Sequence, residues 1–100
     1  MREGVEVARL GAHAGQAETS QMLTCRPDLV QMDKACEGFI GDLSPYMPEF
    51  SRSGFLPPMN TISANGILGD ARESTRELGE KMLQHVTERL ARQIEAGYFG

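Results

Sequence analysis

Hydrophobic positions recur most regularly near the end of the chain, where they are spaced three or four residues apart. The stripe runs through Ala71, Thr75, Leu78, Met82, Val86, Leu90 and Ile94. This spacing predicts an amphipathic helix with one apolar face. Asp70 and Glu73 have the spacing of a capping box, and Gly97 is a favourable residue just past a helix end. Residues 70–97 are therefore predicted to form one long helix.

The first part of the chain has a different periodicity, which is shorter and less regular. Val5 and Val7 alternate with polar neighbours before the run ends at Gly11. Alternation of this kind predicts a short strand over residues 5–10. We therefore expect residues 1–16 to form a strand and a turn. A strand needs neighbours that pair with its backbone groups, and the rest of the chain offers few.

The middle of the chain is predicted to contain a helical part followed by a loop. Residues 17–36 have an apolar side and a break at Pro27, because proline lacks the amide donor that a helix needs. Residues 37–69 are dense in glycine and proline, which predicts a loop with at most a short strand near Thr61. The large apolar side chains of this loop are Phe39, Tyr46, Met47, Phe50, Phe55 and Met59. They either line a pocket or subunit contact, or cover the domain's own core.

Length, composition and charge limit the classes of protein to which the chain can belong. One hundred residues suffice for one small domain, and 40% hydrophobic with 24% charged residues is ordinary globular usage. A formal net charge of -4 argues against nucleic acid as a partner. Neither a membrane-spanning stretch nor a secretory signal is recognisable, so we expect no membrane partner and a cytoplasmic location.

Two cysteines, Cys25 and Cys36, are too few for a disulfide framework. In a reducing compartment we expect two small, buried or half-buried thiols. A disulfide between them is one alternative. A zinc site with His13 and His85 is another, although neither pair has the close spacing that is typical of zinc ligands.

The candidate chemistry is concentrated in residues 13–20, which read His-Ala-Gly-Gln-Ala-Glu-Thr-Ser. Gly15 predicts a sharp turn into a helix, because glycine adopts backbone conformations that other residues avoid. His13 then stands at the helix entrance, where an imidazole can accept or donate a proton near neutral pH. Glu18 falls in the first helical turn, where negative charge is favoured. His13, Gly15 and Glu18 are therefore the candidate site residues, and an ordinary capped helix with a surface histidine is the alternative.

Further motifs follow in a fixed order, from Met22-Leu23 and Arg26-Pro27-Asp28-Leu29-Val30 to Asn65-Gly66-Ile67-Leu68-Gly69-Asp70. Together with residues 13–20 they resemble the creatininase family of metal-dependent amidohydrolases, over residues 11–96. The resemblance implies an α/β fold, of which this chain would be the C-terminal portion of a three-layer αβα sandwich. It also implies hydrolysis of a C–N amide bond in a small molecule, with His13 as the catalytic acid–base group and Gly15 and Glu18 contacting the substrate or supporting the site.

The same resemblance implies a divalent metal, zinc and/or manganese, whose ligands come from motifs that are missing in this chain. We therefore expect no metal-binding residue here, and a homo-oligomer or a missing N-terminal portion. The chain alone is expected to be inactive. Residues 9–12, Arg-Leu-Gly-Ala, stand where creatinine-hydrolysing members carry an aromatic residue and acids. The chain thus resembles formamide deformylase-like and mycofactocin-associated relatives more closely. A non-catalytic helical interaction module or a truncated remnant is the alternative to an enzyme.

Overall fold

Helices make up the regular structure of residues 7–97, the part of the chain that this computed structural model describes. The α-helices are α1 Val7–Leu10, α2 Gln16–Cys25, α3 Met47–Ser53, α4 Met59–Ile62 and α5 Arg76–Glu95. Short 3-10 helices cover Pro27–Leu29, Met32–Lys34 and Ser44–Tyr46. In this part of the chain, none of the helices combines the length and the apolar character that crossing a membrane requires.

The strands that an α/β fold requires do not form within residues 7–97. The strand predicted over residues 5–10 is wrong in its described part, because Val7–Leu10 is α1. Val5 and Glu6 lie outside the described residues. The strand predicted near Thr61 is also wrong, since this residue belongs to α4. A helix satisfies its backbone groups internally, whereas a strand needs a partner along its whole length.

Pairing between distant segments is limited to isolated β-bridges in the part of the chain that is described. These bridges join His13 to Leu68, Glu37 to Asp70, and Phe39 to Leu68. The bridges bring the first turn, the middle of the chain and residues 68–70 side by side. They hold the candidate site in place without a continuous sheet.

The long C-terminal helix is confirmed, but it begins at Arg76 rather than near Asp70. Thr75 is its N-cap, and the Thr75 side chain accepts a hydrogen bond of 3.1 Å from the Leu78 amide. A threonine oxygen at this position satisfies an amide that has no partner within the helix. Beyond the helix end Gly97 has a φ of 79°, which agrees with its predicted place there.

The first half of α5 packs closely against α2. A Cβ atom built on Gly79 would lie 2.0 Å from the backbone carbonyl oxygen of Ser20, so only glycine permits this approach. The Thr75 amide donates to Ser20 Oγ at 3.1 Å, and Thr24 Oγ1 donates to the Arg76 carbonyl at 3.0 Å. Ser20 is completely buried. Small and polar residues therefore join the two helices.

The apolar core is small. Its buried side chains are those of Ile62, Leu68, Ala71 and Leu78. The radius of gyration is 15.5 Å, compared with about 13 Å for a compact domain of 100 residues. The aromatic residues in the middle of the chain contribute little to this core, since Phe39 is half-buried whereas Phe50 and Phe55 are exposed. The sequence left two interpretations for the apolar side chains of residues 37–69. The interpretation that they cover the domain's own core is wrong for Phe50 and Phe55.

Candidate functional site

The turn that carries His13 is fixed by close contact between two backbone segments. A Cβ atom built on Gly11 would lie 2.0 Å from the Leu68 carbonyl oxygen. Gly69 faces Gly11 from the other segment and has a φ of 140°. A side chain at either glycine would separate the segments. Residues 11–13 and 68–70 therefore form one rigid junction.

His13 is the central residue of this junction. Its amide and that of Ala12 donate to the Leu68 carbonyl oxygen at 3.3 and 2.8 Å. The Leu68 amide in turn donates to the His13 carbonyl oxygen at 2.8 Å. Leu68 itself is only 2% exposed, whereas His13 is exposed. The backbone of the histidine is therefore held against a buried residue while its side chain faces solvent.

Glu18 stabilises the conformation of the residue after His13. Ala14 has a left-handed backbone with a φ of 54°, which costs roughly 1–2 kcal/mol for a residue other than glycine. The Ala14 amide donates a hydrogen bond to the Glu18 carboxylate. Glu18 lies in the first turn of α2, where the helix dipole also favours a carboxylate. The carboxylate thereby fixes the turn that presents the histidine.

Gly15 lies buried immediately before α2. A Cβ atom there would lie 2.6 Å from the Leu10 carbonyl oxygen and 3.2 Å from that of Arg9. The glycine thus lets α1 approach the start of α2, so the close contact is with the chain itself. Contact of Gly15 with a substrate stays a prediction.

Asp70 is the most deeply buried charged group of this region, with 2% of its side chain exposed. Arg72 donates to both of its carboxylate oxygens, at 3.0 Å from Nε and 2.8 Å from Nη2. Arg9 also pairs with this carboxylate, and its carbonyl oxygen accepts a 3.0 Å bond from the Asp70 amide. The Arg72 hydrogen bonds lower the pKa of Asp70 to about 2, although burial opposes the shift.

Glu37 completes this charged network from a third segment. Its carboxylate lies 2.9 Å from Arg72 Nη2 and 3.4 Å from Arg9 Nη1. The network connects α1, the bridge at residue 37 and the segment before α5. Sequence reasoning assigned Asp70 to a helix cap and missed this role. Neither spacing nor periodicity could have revealed the whole network, because Arg9 and Glu37 lie far along the chain from the neighbouring pair of Asp70 and Arg72.

The cysteines and the second histidine do not join this site. Cys25 and Cys36 are free and exposed, so the expectation of buried or half-buried thiols is wrong. His85 is exposed on α5. Within residues 7–97, the structure places no three histidine, cysteine or acidic side chains where they could hold a metal ion. The zinc-site alternative therefore has no support among these residues.

Comparison with known proteins gives consistent matches. The family model described as creatininase, creatinine amidohydrolase, matches residues 2–94. The mycofactocin precursor peptide peptidase of Mycobacterium ulcerans (strain Agy99) is 32% identical over 85 residues, which is 81% of this chain and 32% of that protein. The protein with the same description from Mycolicibacterium smegmatis is 33% identical over 84 residues, or 84% of this chain and 32% of that one.

The chain spans about a third of the length of the curated relatives that it matches. No solved structure matches it significantly. The matched region includes His13, Glu18 and Asp70. The sequence relationship therefore covers the junction and its charged network.

Proposed function

Because this chain belongs to the creatininase family, we propose that it supplies the proton-transferring part of a centre that hydrolyses a C–N amide bond. His13 is the proposed catalytic residue. The observation that carries the proposal is that the backbones of His13 and Leu68 donate hydrogen bonds to each other while the His13 residue is exposed. A reacting histidine needs a fixed position together with access to the substrate, and the held backbone and the exposure of His13 support this role.

In the proposed reaction, water adds to the amide carbonyl carbon and the C–N bond then breaks. His13 takes up the proton that the water loses on attack, and the imidazolium so formed donates a proton to the departing nitrogen. An imidazole is suited to this step because it exchanges its proton near neutral pH. Glu18 does not itself move a proton in this scheme. It holds the Ala14 amide and thereby the turn from which the histidine projects.

The family implies a divalent metal, zinc and/or manganese, which would polarise the carbonyl group or activate water. The donor groups within residues 7–97 do not fit such a metal, because they form no cluster of three suitable ligands. We therefore assign no step to a metal in this chain. The proposed partners are a second copy of the chain in a homo-oligomer, or the portion that corresponds to the other two-thirds of the relatives.

The relatives are named as peptidases of a precursor peptide. This name supports an amide bond in a small molecule or short peptide as the substrate of this chain, rather than creatinine itself. The residues before His13 favour the same choice, since Arg9 and Leu10 stand in place of the aromatic and acidic residues of creatinine-hydrolysing members.

A complementation assay tests the proposal. The chain is purified with and without the part of the Mycolicibacterium smegmatis relative that lies outside its matched region, and zinc and manganese are supplied. We expect hydrolysis of short N-acyl amides only in the combined sample. His13→Ala should then lower kcat by about 100-fold or more, the usual contribution of a general acid or base. Circular dichroism should show unchanged helix content.

His85→Ala is the matched control, because it removes the other histidine of the chain from an exposed position on α5. This variant should retain full activity. Full activity of His13→Ala in an active combined sample would disprove the assigned role. If the isolated chain hydrolyses amides, the expectation that it is inactive alone is wrong.

A non-catalytic interaction module is the second candidate function, and exposed apolar residues on α5 favour it. Val86, Leu90 and Ile94 are 60%, 45% and 56% exposed although they lie on the apolar stripe. Under this alternative, Leu90→Gln abolishes assembly while His13→Ala changes nothing. The two substitutions together therefore distinguish the two candidates.

A further inference from the structure

A cavity of about 320 Å³ opens beside the junction that holds His13. Leu68 belongs to the cavity and to the junction, because it lines the cavity and forms the bridges to His13 and Phe39. Neighbouring paired segments lie about 4.8 Å apart, so the backbone positions of His13 and Phe39 are about 10 Å apart. Ala12, the residue before His13, lines the cavity, so the cavity begins one residue along the chain from the candidate catalytic group.

The lining of this cavity is almost entirely apolar. One wall includes Ala8 and Ala12, and the other includes Phe39, Ile40 and Leu43. Its volume is at the lower end of the range for small-molecule sites, about 300–1,000 Å³. A cavity of this size and character favours one apolar group over a large or charged ligand.

Asp42 is the charged residue of the lining, and its carboxylate is engaged within the chain. The Ser44 amide donates to one of its oxygens at 2.9 Å, and the Ser44 hydroxyl donates to the other at 2.7 Å. These hydrogen bonds lower the pKa of Asp42, so the group is ionised at neutral pH. A fixed negative charge at the cavity disfavours carboxylate ligands. Its partnered oxygens lessen the attraction for a cation.

We propose that this cavity is a specificity site that binds an uncharged apolar side chain, aliphatic or aromatic, next to the amide bond at His13. This inference rests on the proposed function for the position of the amide bond. It adds the class of substrate, namely amides of apolar amino acids rather than of acidic or basic ones. Burial of such a side chain against Phe39 and Leu68 supplies the binding energy.

Amide-resolved NMR titration of the full 100-residue chain tests the inference without requiring hydrolysis. The ligands are N-acetyl-leucinamide and the corresponding amides of aspartic acid and lysine. We expect the leucine compound to shift the signals of Ala12, Phe39 and Leu68, with an affinity at least tenfold above that of either charged compound. Phe39→Ala should weaken this binding at least fivefold. Phe55→Ala is the matched control, because that ring is 75% exposed and lies outside the cavity lining.

Gly41→Ala provides a second variant in case Phe39→Ala does not fold. A Cβ atom at position 41 would lie 2.5 Å from Cζ of the Phe39 ring, so the ring must move and the affinity must change. Equal affinity for the three compounds, or shifts confined to residues outside the cavity, would overturn the inference. Binding of the leucine compound without hydrolysis in the combined sample would instead refute the proposed function alone. An active combined sample that hydrolyses all three amides equally would refute only the side-chain preference.

Discussion

Residues 68–70 and the second half of α5, residues 86–95, contain apolar side chains that experience opposite environments. Leu68 is 2% exposed and takes part in two bridges, whereas Val86 is 60% exposed. Residues 68–70 are bridged to two other segments, at residue 13 and at residues 37–39, whereas the contacts of Ser20 and Thr24 with α5 lie in its first half. An apolar position in a periodic stripe therefore predicts which face of a helix is apolar. Whether that face is covered depends on elements that the stripe does not encode.

The largest loss of stability is expected from a substitution at the contact between α2 and the first half of α5. Gly79→Ala places a Cβ atom 2.0 Å from the Ser20 carbonyl oxygen, and α2 must move away from α5. Overpacking of this kind commonly costs about 1–3 kcal/mol, and contact with rigid backbone puts this case at about 3 kcal/mol or more. Urea unfolding measures the loss. Ala91→Leu, which adds bulk to the exposed second half of α5, should change the unfolding free energy by less than about 0.5 kcal/mol.

Asp70→Asn tests the charged network that anchors residues 68–70. It leaves the two guanidinium groups of Arg9 and Arg72 without their buried anion, and we expect a loss of about 2–4 kcal/mol at pH 7. Asp28→Asn is the control, because that carboxylate pairs with Arg26 on the exposed surface. An exposed pair of this kind is screened by solvent and contributes little to stability. Equal losses in the two variants would show that burial of the network does not matter.

Acid should weaken the anchored segment through the same carboxylate. The pKa of Asp70 is lowered to about 2 in the folded chain, below its value of about 3.9 in an unfolded chain. The Asp70 carboxylate therefore stabilises the fold fully at pH values above the pKa that it has in the unfolded chain. This contribution is lost as the pH falls toward 2. The difference in unfolding free energy between the native chain and Asp70→Asn should be constant above about pH 5 and shrink below pH 4. A difference that does not vary from pH 6 to pH 2 would contradict this pKa.

The smallest effect on stability is expected in the second half of α5. Leu90 is 45% exposed, so Leu90→Gln should change the unfolding free energy of the isolated chain by less than about 0.5 kcal/mol. Leu78→Gln is the buried counterpart on the same helix, at 6% exposure, and should cost several times more. Comparable losses would mean that the second half of α5 is covered in solution. Sedimentation analysis of both variants would then show whether a second copy covers it.

The candidate site was predictable in part. His13, Gly15 and Glu18 stand in one short motif, and the family to which the motif points agrees with the comparisons. Their catalytic and substrate-binding roles stay predictions. The connection of His13 to Leu68 could not be read from the chain, because it depends on backbone atoms 55 positions apart. Such pairing has no side-chain signature in a single sequence.

The long C-terminal helix and the family could be predicted from the amino-acid sequence, since both depend on residue types at fixed spacings. The tertiary structure decided that Val7–Leu10 is helical, that α5 begins at Arg76, and that Asp70 lies in an ion network rather than at a helix cap. Local periodicity predicts the secondary structure that a segment prefers in the absence of tertiary contacts. The final state of Asp70 depends on its close neighbour Arg72 and also on Arg9 and on burial, and the last two arise only when distant segments meet.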